Sequence, residues 1–133
     1  MSRKAARDSA FKIIYQTPFH NESTNEEIIN LFLADETAAK LNENDLEYIN
    51  LTVNNCFDNI EEIDAMLTNS LKNWTIQRIS KVNLAILRLS LAEMKYGEIP
   101  HQISINEAIE LAKKYSDDDA PSFVNGVLAD VIK

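Results

Sequence analysis

Glycine and proline together number only five in 133 residues, and cysteine occurs once. Turn-rich β architectures need many more such breakers, so the scarcity favours helices. A single cysteine, Cys56, rules out an intramolecular disulfide and any CxxC pair for zinc or redox chemistry; it reads as a small buried hydrophobe. No run approaches the ~20 consecutive apolar residues of a membrane span, and the basic, alternating N-terminus lacks the smooth apolar stretch of a signal peptide. A cytoplasmic location is expected. His20 and His101 are isolated, no Ser/His/Asp or Cys/His set is placed, and no phosphate-binding glycine loop is present, so the chain predicts no catalysis, cofactor or metal.

What the chain does have is apolar material, 45% of its residues, in helical periodicity. Ala6, Ala10 and Ile13, widened by Phe11, Ile14 and Tyr15, predict a helix over 2–16 that Thr17-Pro18 ends. Thr24 and Glu27 have capping-box spacing ahead of Ile28, Ile29, Leu31, Phe32 and Leu33, in a helix reaching about Ala39. From Asn44 to Leu71 apolar residues step by three or four, as one long helix or two nearly coaxial ones. Asn73-Trp74-Thr75 is a break, and Ser80 is a candidate N-cap. In the stretch 82–95 nine of fourteen residues are apolar and cover most of the circumference, which predicts the central helix of the fold. Gly97 sits where a left-handed C-cap belongs, Pro100 follows, and Ser104 with Glu107 has capping-box spacing. A last helix starts near 119–121 and carries Phe123, Val124, Val127, Leu128 and Val131. The expectation is an all-α single unit of about seven helices, with helical subdomains of about 1–73 and 74–133 sharing one core.

The net charge of −8 is segregated: residues 1–19 carry +3, 20–70 carry −11, 71–115 carry +3 and 116–133 carry −3. A polyanion must therefore approach along the N-terminal segment or around residues 72–88. Arg3 and Arg7, four apart, share a helix face flanked by Lys4, with Lys12 further round. They form either a phosphate-contacting edge or a solvated helix face. Arg88, on an otherwise apolar helix, reads as a buried arginine paired with Glu93 or another carboxylate. Asn125 and Gly126 lie within helical spacing, so both are read as serving the fold, Gly126 by allowing a close helix crossing and Asn125 by bonding a neighbouring loop.

Three blocks resemble the NusB family of bacterial transcription antitermination factors. They are Arg3, Arg7 and Ala10 leading to Tyr15-Gln16; Ile86-Leu87-Arg88-Leu89; and Ile99-Pro100 through Ile105-Asn106-Glu107-Ala108, running on into Leu111-Ala112-Lys113 and Phe123-Val124-Asn125-Gly126-Val127-Leu128. The resemblance implies two helical bundles packed across one another, without catalysis. It further implies pairing with the ribosomal protein that doubles as NusE, binding of boxA RNA, and joining RNA polymerase and other Nus factors, notably on ribosomal RNA operons.

By the same resemblance Arg3, Lys4, Arg7 and Lys12 meet RNA, and Asp119 and Phe123 lie near its path. Asp119 is otherwise a helix N-cap, and Phe123 is either a stacking platform or core, with core favoured. Tyr15 and Asn83 are the matched partner-contact positions; relatives often have an acidic residue where this chain has the neutral Asn83. So few cationic contacts give weak single-strand binding at physiological salt, a physical reason to expect a second RNA-contacting partner. The competing reading is a helical protein–protein adaptor that works through its acidic 20–70 segment. Methyl transfer, known from enzymes fused to NusB-like domains, needs an α/β domain that this sequence lacks.

Overall fold

The computed structural model describes residues 4–17, 25–33, 41–72 and 75–133. Seven α-helices are found among them, and no strand: α1 (Lys4–Gln16), α2 (Asn25–Leu33), α3 (Glu43–Asp58), α4 (Ile60–Ser70), α5 (Lys81–Leu91), α6 (His101–Tyr115) and α7 (Ala120–Val131). A 3-10 turn, Ile76–Arg78, leads into α5. No helix among the described residues is long and apolar enough to cross a membrane. Thr24, Pro18, Asn73 and Trp74, together with the stretch to Ala39, lie outside the described residues.

The apolar periodicity resolves into one continuous core. α5 packs against α1, α3, α4, α6 and α7, and its Ile86, Leu87, Leu89 and Leu91 are all but fully buried. Each such side chain contributes roughly 1.5–3 kcal/mol of burial free energy. The 44–71 stretch is two helices, broken at Asn59, and α4 packs across the expected boundary near residue 73 onto α5 and α7. Asn42 and Asp45 close a capping box at the start of α3, a start signal that sequence inspection passed over. Ser80 caps α5 as expected, accepting from the Asn83 N–H at 3.1 Å.

Three local expectations are corrected. α6 begins at His101, so Ser104 is no cap; it lies within the helix, fully buried, and bonds side chains of the core. Gly97 is not left-handed (φ −103); the positive φ belongs to Glu98 (φ 57). Gly97 is required for closeness instead. The chain leaves α5 through a π turn, Ala92–Tyr96, and a Cβ on Gly97 would stand 2.9 Å from the Glu93 carbonyl oxygen. That carbonyl accepts from both the Gly97 and the Ile99 N–H at 3.1 Å, so it has little room to yield. Gly97→Ala is expected to destabilise the fold by about 1–3 kcal/mol in urea denaturation, as overpacking does. Finally, Gly126 makes no close crossing: the space around its missing Cβ is empty to 4 Å.

Candidate nucleic-acid interface

The N-terminal basic edge divides at Arg7. Lys4 is exposed, whereas Arg7 is 4% exposed and points between α3, α5 and α6. Its Nε lies 2.7 Å from Glu93 Oε2, a terminal nitrogen 3.4 Å from Glu107, and the guanidinium carbon 5.6 Å from the Tyr48 ring centroid. The Tyr48 hydroxyl donates to the same Glu93 oxygen, and Ser104 Oγ donates to the other at 2.8 Å. Burial alone would lower the Arg7 pKa, yet Glu93, with Tyr48 and Glu107, raises it above its ordinary value. Burial and then the Glu93 carboxylate push the Tyr48 hydroxyl well above its usual range, which keeps it a proton donor. Arg7 is thus held in a core ion pair, its guanidinium committed to Glu93 and Glu107, while it still borders the pocket that Lys4, Lys113 and Lys114 line. The i, i+4 spacing of Arg3 and Arg7 does not say which face meets the core. Arg3 lies outside the described residues.

Beside the buried arginine a set of exposed cations gathers round one carboxylate. Asp8 accepts from the Tyr115 hydroxyl at 2.5 Å and Lys114 Nζ at 3.1 Å, and pairs with Lys12 at 3.2 Å. Phe11 stacks on Tyr115 at 5.0 Å and on Tyr15 at 6.0 Å. Lys12, 44% exposed, shares Asp8 with Lys114; Lys113 and Lys114, each 63% exposed, had not been singled out as contacts from the sequence. Their signal was a basic last turn on α6. An open pocket of about 340 Å³ lies between Lys4 on α1 and Glu110, Lys113 and Lys114 on α6.

Burial would raise the Asp8 pKa, but the Tyr115 hydroxyl, Lys114 and Lys12 outweigh it and hold the carboxyl below its ordinary 3.8. A depressed folded pKa means that the stabilisation is present above the unfolded value and is lost as pH falls below it through the folded one. Wild type is expected to lose more stability than Asp8→Asn between pH 4 and more acidic solution, measured by urea denaturation at each pH.

The third region lies where α5 and α7 begin. Asp119, at the N-cap of α7, makes no side-chain cap bond, so its exposed carboxylate is left to face solvent. Asn83 Oδ1 accepts from Ser116 Oγ at 2.7 Å, which ties the start of α5 to the loop before α7. That tie brings Asn83, Asp119, Phe123 and Arg78 into one pocket of about 340 Å³. Phe123 is half-buried, one side packed on the core, and also borders a second groove next to Lys72. Tyr15, 46% exposed, lies apart in a groove of about 460 Å³ with Lys81, Leu84 and Arg88. The two positions matched to a protein partner thus fall in different pockets, and Asn83 joins the pair matched to RNA. Arg88 is held two-pronged by Asp64 at 3.0 and 2.8 Å. Arg78, Lys81 and Lys72 went unnamed in the sequence, although the net +3 of residues 71–115 pointed to that region.

Among the described residues no group of His, Cys, Asp and Glu is arranged to hold a metal. Burial pushes the Cys56 thiol up to about 12, which leaves it a packing residue rather than a nucleophile.

The fold and these surfaces define a helical binding protein that presents cations, a carboxylate and an aromatic ring. The NusB family model matches residues 4–133. The transcription antitermination protein NusB of Acetivibrio thermocellus is 46% identical across all of this chain and 90% of its own length. The structure of T. maritima NusB superposes with a TM-score of 0.86 at 30% identity, covering 98% of this chain and 90% of that one. A NusB solved with NusE and double-stranded RNA gives 0.83 at 30% identity, covering 97% and 94%. The chain belongs to the NusB family, a non-enzymatic family of transcription antitermination proteins.

Proposed function

We infer that this chain binds boxA-type single-stranded RNA jointly with a NusE-type ribosomal protein. In the cytoplasm the pair joins the elongating RNA polymerase and other Nus factors, notably on ribosomal RNA operons. The observation that carries the reading is the full-length likeness, at 30% identity, to a NusB solved together with NusE and RNA. The local chemistry is compatible with it. Lys4, Lys12 and the α6 lysines offer phosphate contacts, to which Arg3 adds, while Asp119 and Phe123 offer a base acceptor and a stacking face. Tyr15 with Lys81 and Leu84, and Asn83 in a separate pocket at the start of α5, are the proposed partner contacts.

The acidic outer residues of α3 and α4, Glu47, Asp58, Glu61 and Glu62, are exposed and repel phosphates. Weak RNA binding by the chain alone, strengthened when a basic ribosomal partner holds the same strand, follows from that balance. Fluorescence anisotropy of labelled boxA RNA and a scrambled control, with each protein and with both across a salt series, tests this. Binding by the pair at least tenfold tighter than by either protein, and tighter than to the scramble, supports the reading. A partner that binds while RNA affinity stays unchanged replaces it with an adaptor role.

A further inference from the structure

Of the two glycines in this chain, only one is explained by the fold. Gly97 is held by contact with the Glu93 backbone, whereas Gly126 sits in the interior of α7 with a negative φ, exposed, and with open space where a Cβ would be. A helix-interior glycine weakens its helix relative to alanine, because it fixes a freer backbone and buries no side chain. Nothing among the described residues offsets that loss. The compensation must come from outside.

Gly126 lines a groove of about 400 Å³ between the end of α4 and α7, together with Ser70, Lys72, Ser122 and Phe123, with Asp130 also in its wall. Phe123 borders this groove and also the pocket of Asn83, Arg78 and Asp119. The two hollows thus share Phe123 as a common wall. The Asn83 pocket offers hydrogen-bonding groups suited to a base edge. The α4–α7 groove offers a cation, two hydroxyls and a patch of bare helix backbone, on which a ribose-phosphate can lie closer than any side chain would allow.

We propose that Gly126 is an RNA-contact residue: the strand that stacks on Phe123 continues into the α4–α7 groove, its sugar-phosphate lying against the Gly126 backbone and its phosphate near Lys72. This rests on the RNA reading given above and specifies where the strand runs. Lys72 supplies the charge complementarity, and Phe123, shared by both hollows, supplies the direction.

The test is a size series, Gly126→Ala and Gly126→Leu, in complex with the NusE-type protein, with labelled boxA RNA as probe. Both substitutions introduce better helix formers into open space, so each melting temperature should rise by about 2–5 °C. RNA affinity should fall about threefold for Ala and at least tenfold for Leu, while affinity for the ribosomal protein without RNA stays the same. Lys72→Ala should reduce the salt slope of RNA binding by about 0.7. Unchanged RNA affinity in both glycine variants overturns the proposal, as does a lowered melting temperature, which would mean an internal role. Weakened binding of the ribosomal protein alone overturns it too, and makes the groove a protein surface. If wild type with its partner binds neither boxA nor scrambled RNA, the functional reading fails first, and the groove assignment falls with it.

Discussion

Glu93→Ala is expected to remove about 3–5 kcal/mol of stability, because the buried carboxylate is the shared acceptor for groups on three helices. Arg7 from α1, Tyr48 from α3 and Ser104 from α6 all converge on it. Without it, the Arg7 guanidinium keeps the looser Glu107 contact at 3.4 Å and the Tyr48 ring, and the Tyr48 hydroxyl loses the Glu93 carboxylate as an acceptor in a buried site. A domain of this size has about 5–15 kcal/mol in total, so the variant should melt about 10–20 °C lower and border on unfolding at growth temperature. Replacing both charges with apolar residues, as in Arg7→Met with Glu93→Leu, should recover most of the loss, since the larger penalty is an unpaired buried charge and not the absence of the pair. Thermal denaturation of the two variants decides it. A Glu93→Ala melting point within 2 °C of wild type would mean that water reaches the network and satisfies it. The same geometry alters how an Arg7→Ala variant is interpreted. A loss of RNA binding there does not separate a lost contact from a displaced α1, so Lys4, Lys12 and Lys114 are the substitutions that test phosphate contact directly.

The architecture was legible where it depends on periodicity. The apolar stripes of α1, α3 with α4, α5 and α7 stand at their expected places, and Ser80 caps α5. Patterns that have two physical solutions were not legible. An arginine pair at i and i+4 is equally consistent with a solvated edge and with one member turned inward to a carboxylate 86 residues away; only the packing of α1 against α3 and α5 selects Arg7 for the core. A Ser-x-x-Glu spacing marks a cap only if the helix begins there, and Ser104 lies a full turn inside α6. Gly97 and Gly126 each had one obvious reading, left-handed cap and close crossing, and neither held. What a glycine is for depends on what surrounds its missing Cβ, and that is a tertiary fact. The grouping of Asn83 with Asp119 and Phe123 was hidden for a related reason: it depends on the Ser116–Asn83 bond, which no local pattern announces.

Phe123→Leu is expected to weaken RNA binding by the complex about 5- to 150-fold, the range that corresponds to losing one base–aromatic stack worth ~1–3 kcal/mol. The ring is suited to that role by its position. It is packed on the core along one side, which fixes its orientation, and it still borders two surface hollows with the other. A ring held this way loses little conformational entropy when a base settles on it, so stacking energy goes into affinity instead of ordering. Leucine retains most of the apolar packing, and the melting temperature should therefore change little; phenylalanine's π face is what it removes. Phe123→Tyr and Phe123→Trp should bind nearly as well as wild type, because each keeps a stacking face. Anisotropy titrations at one fixed salt concentration separate the possibilities. If leucine binds as tightly as phenylalanine while all four proteins remain folded, Phe123 is a core residue with an exposed edge, and base recognition must reside in Asp119, Arg78 and the backbone around them.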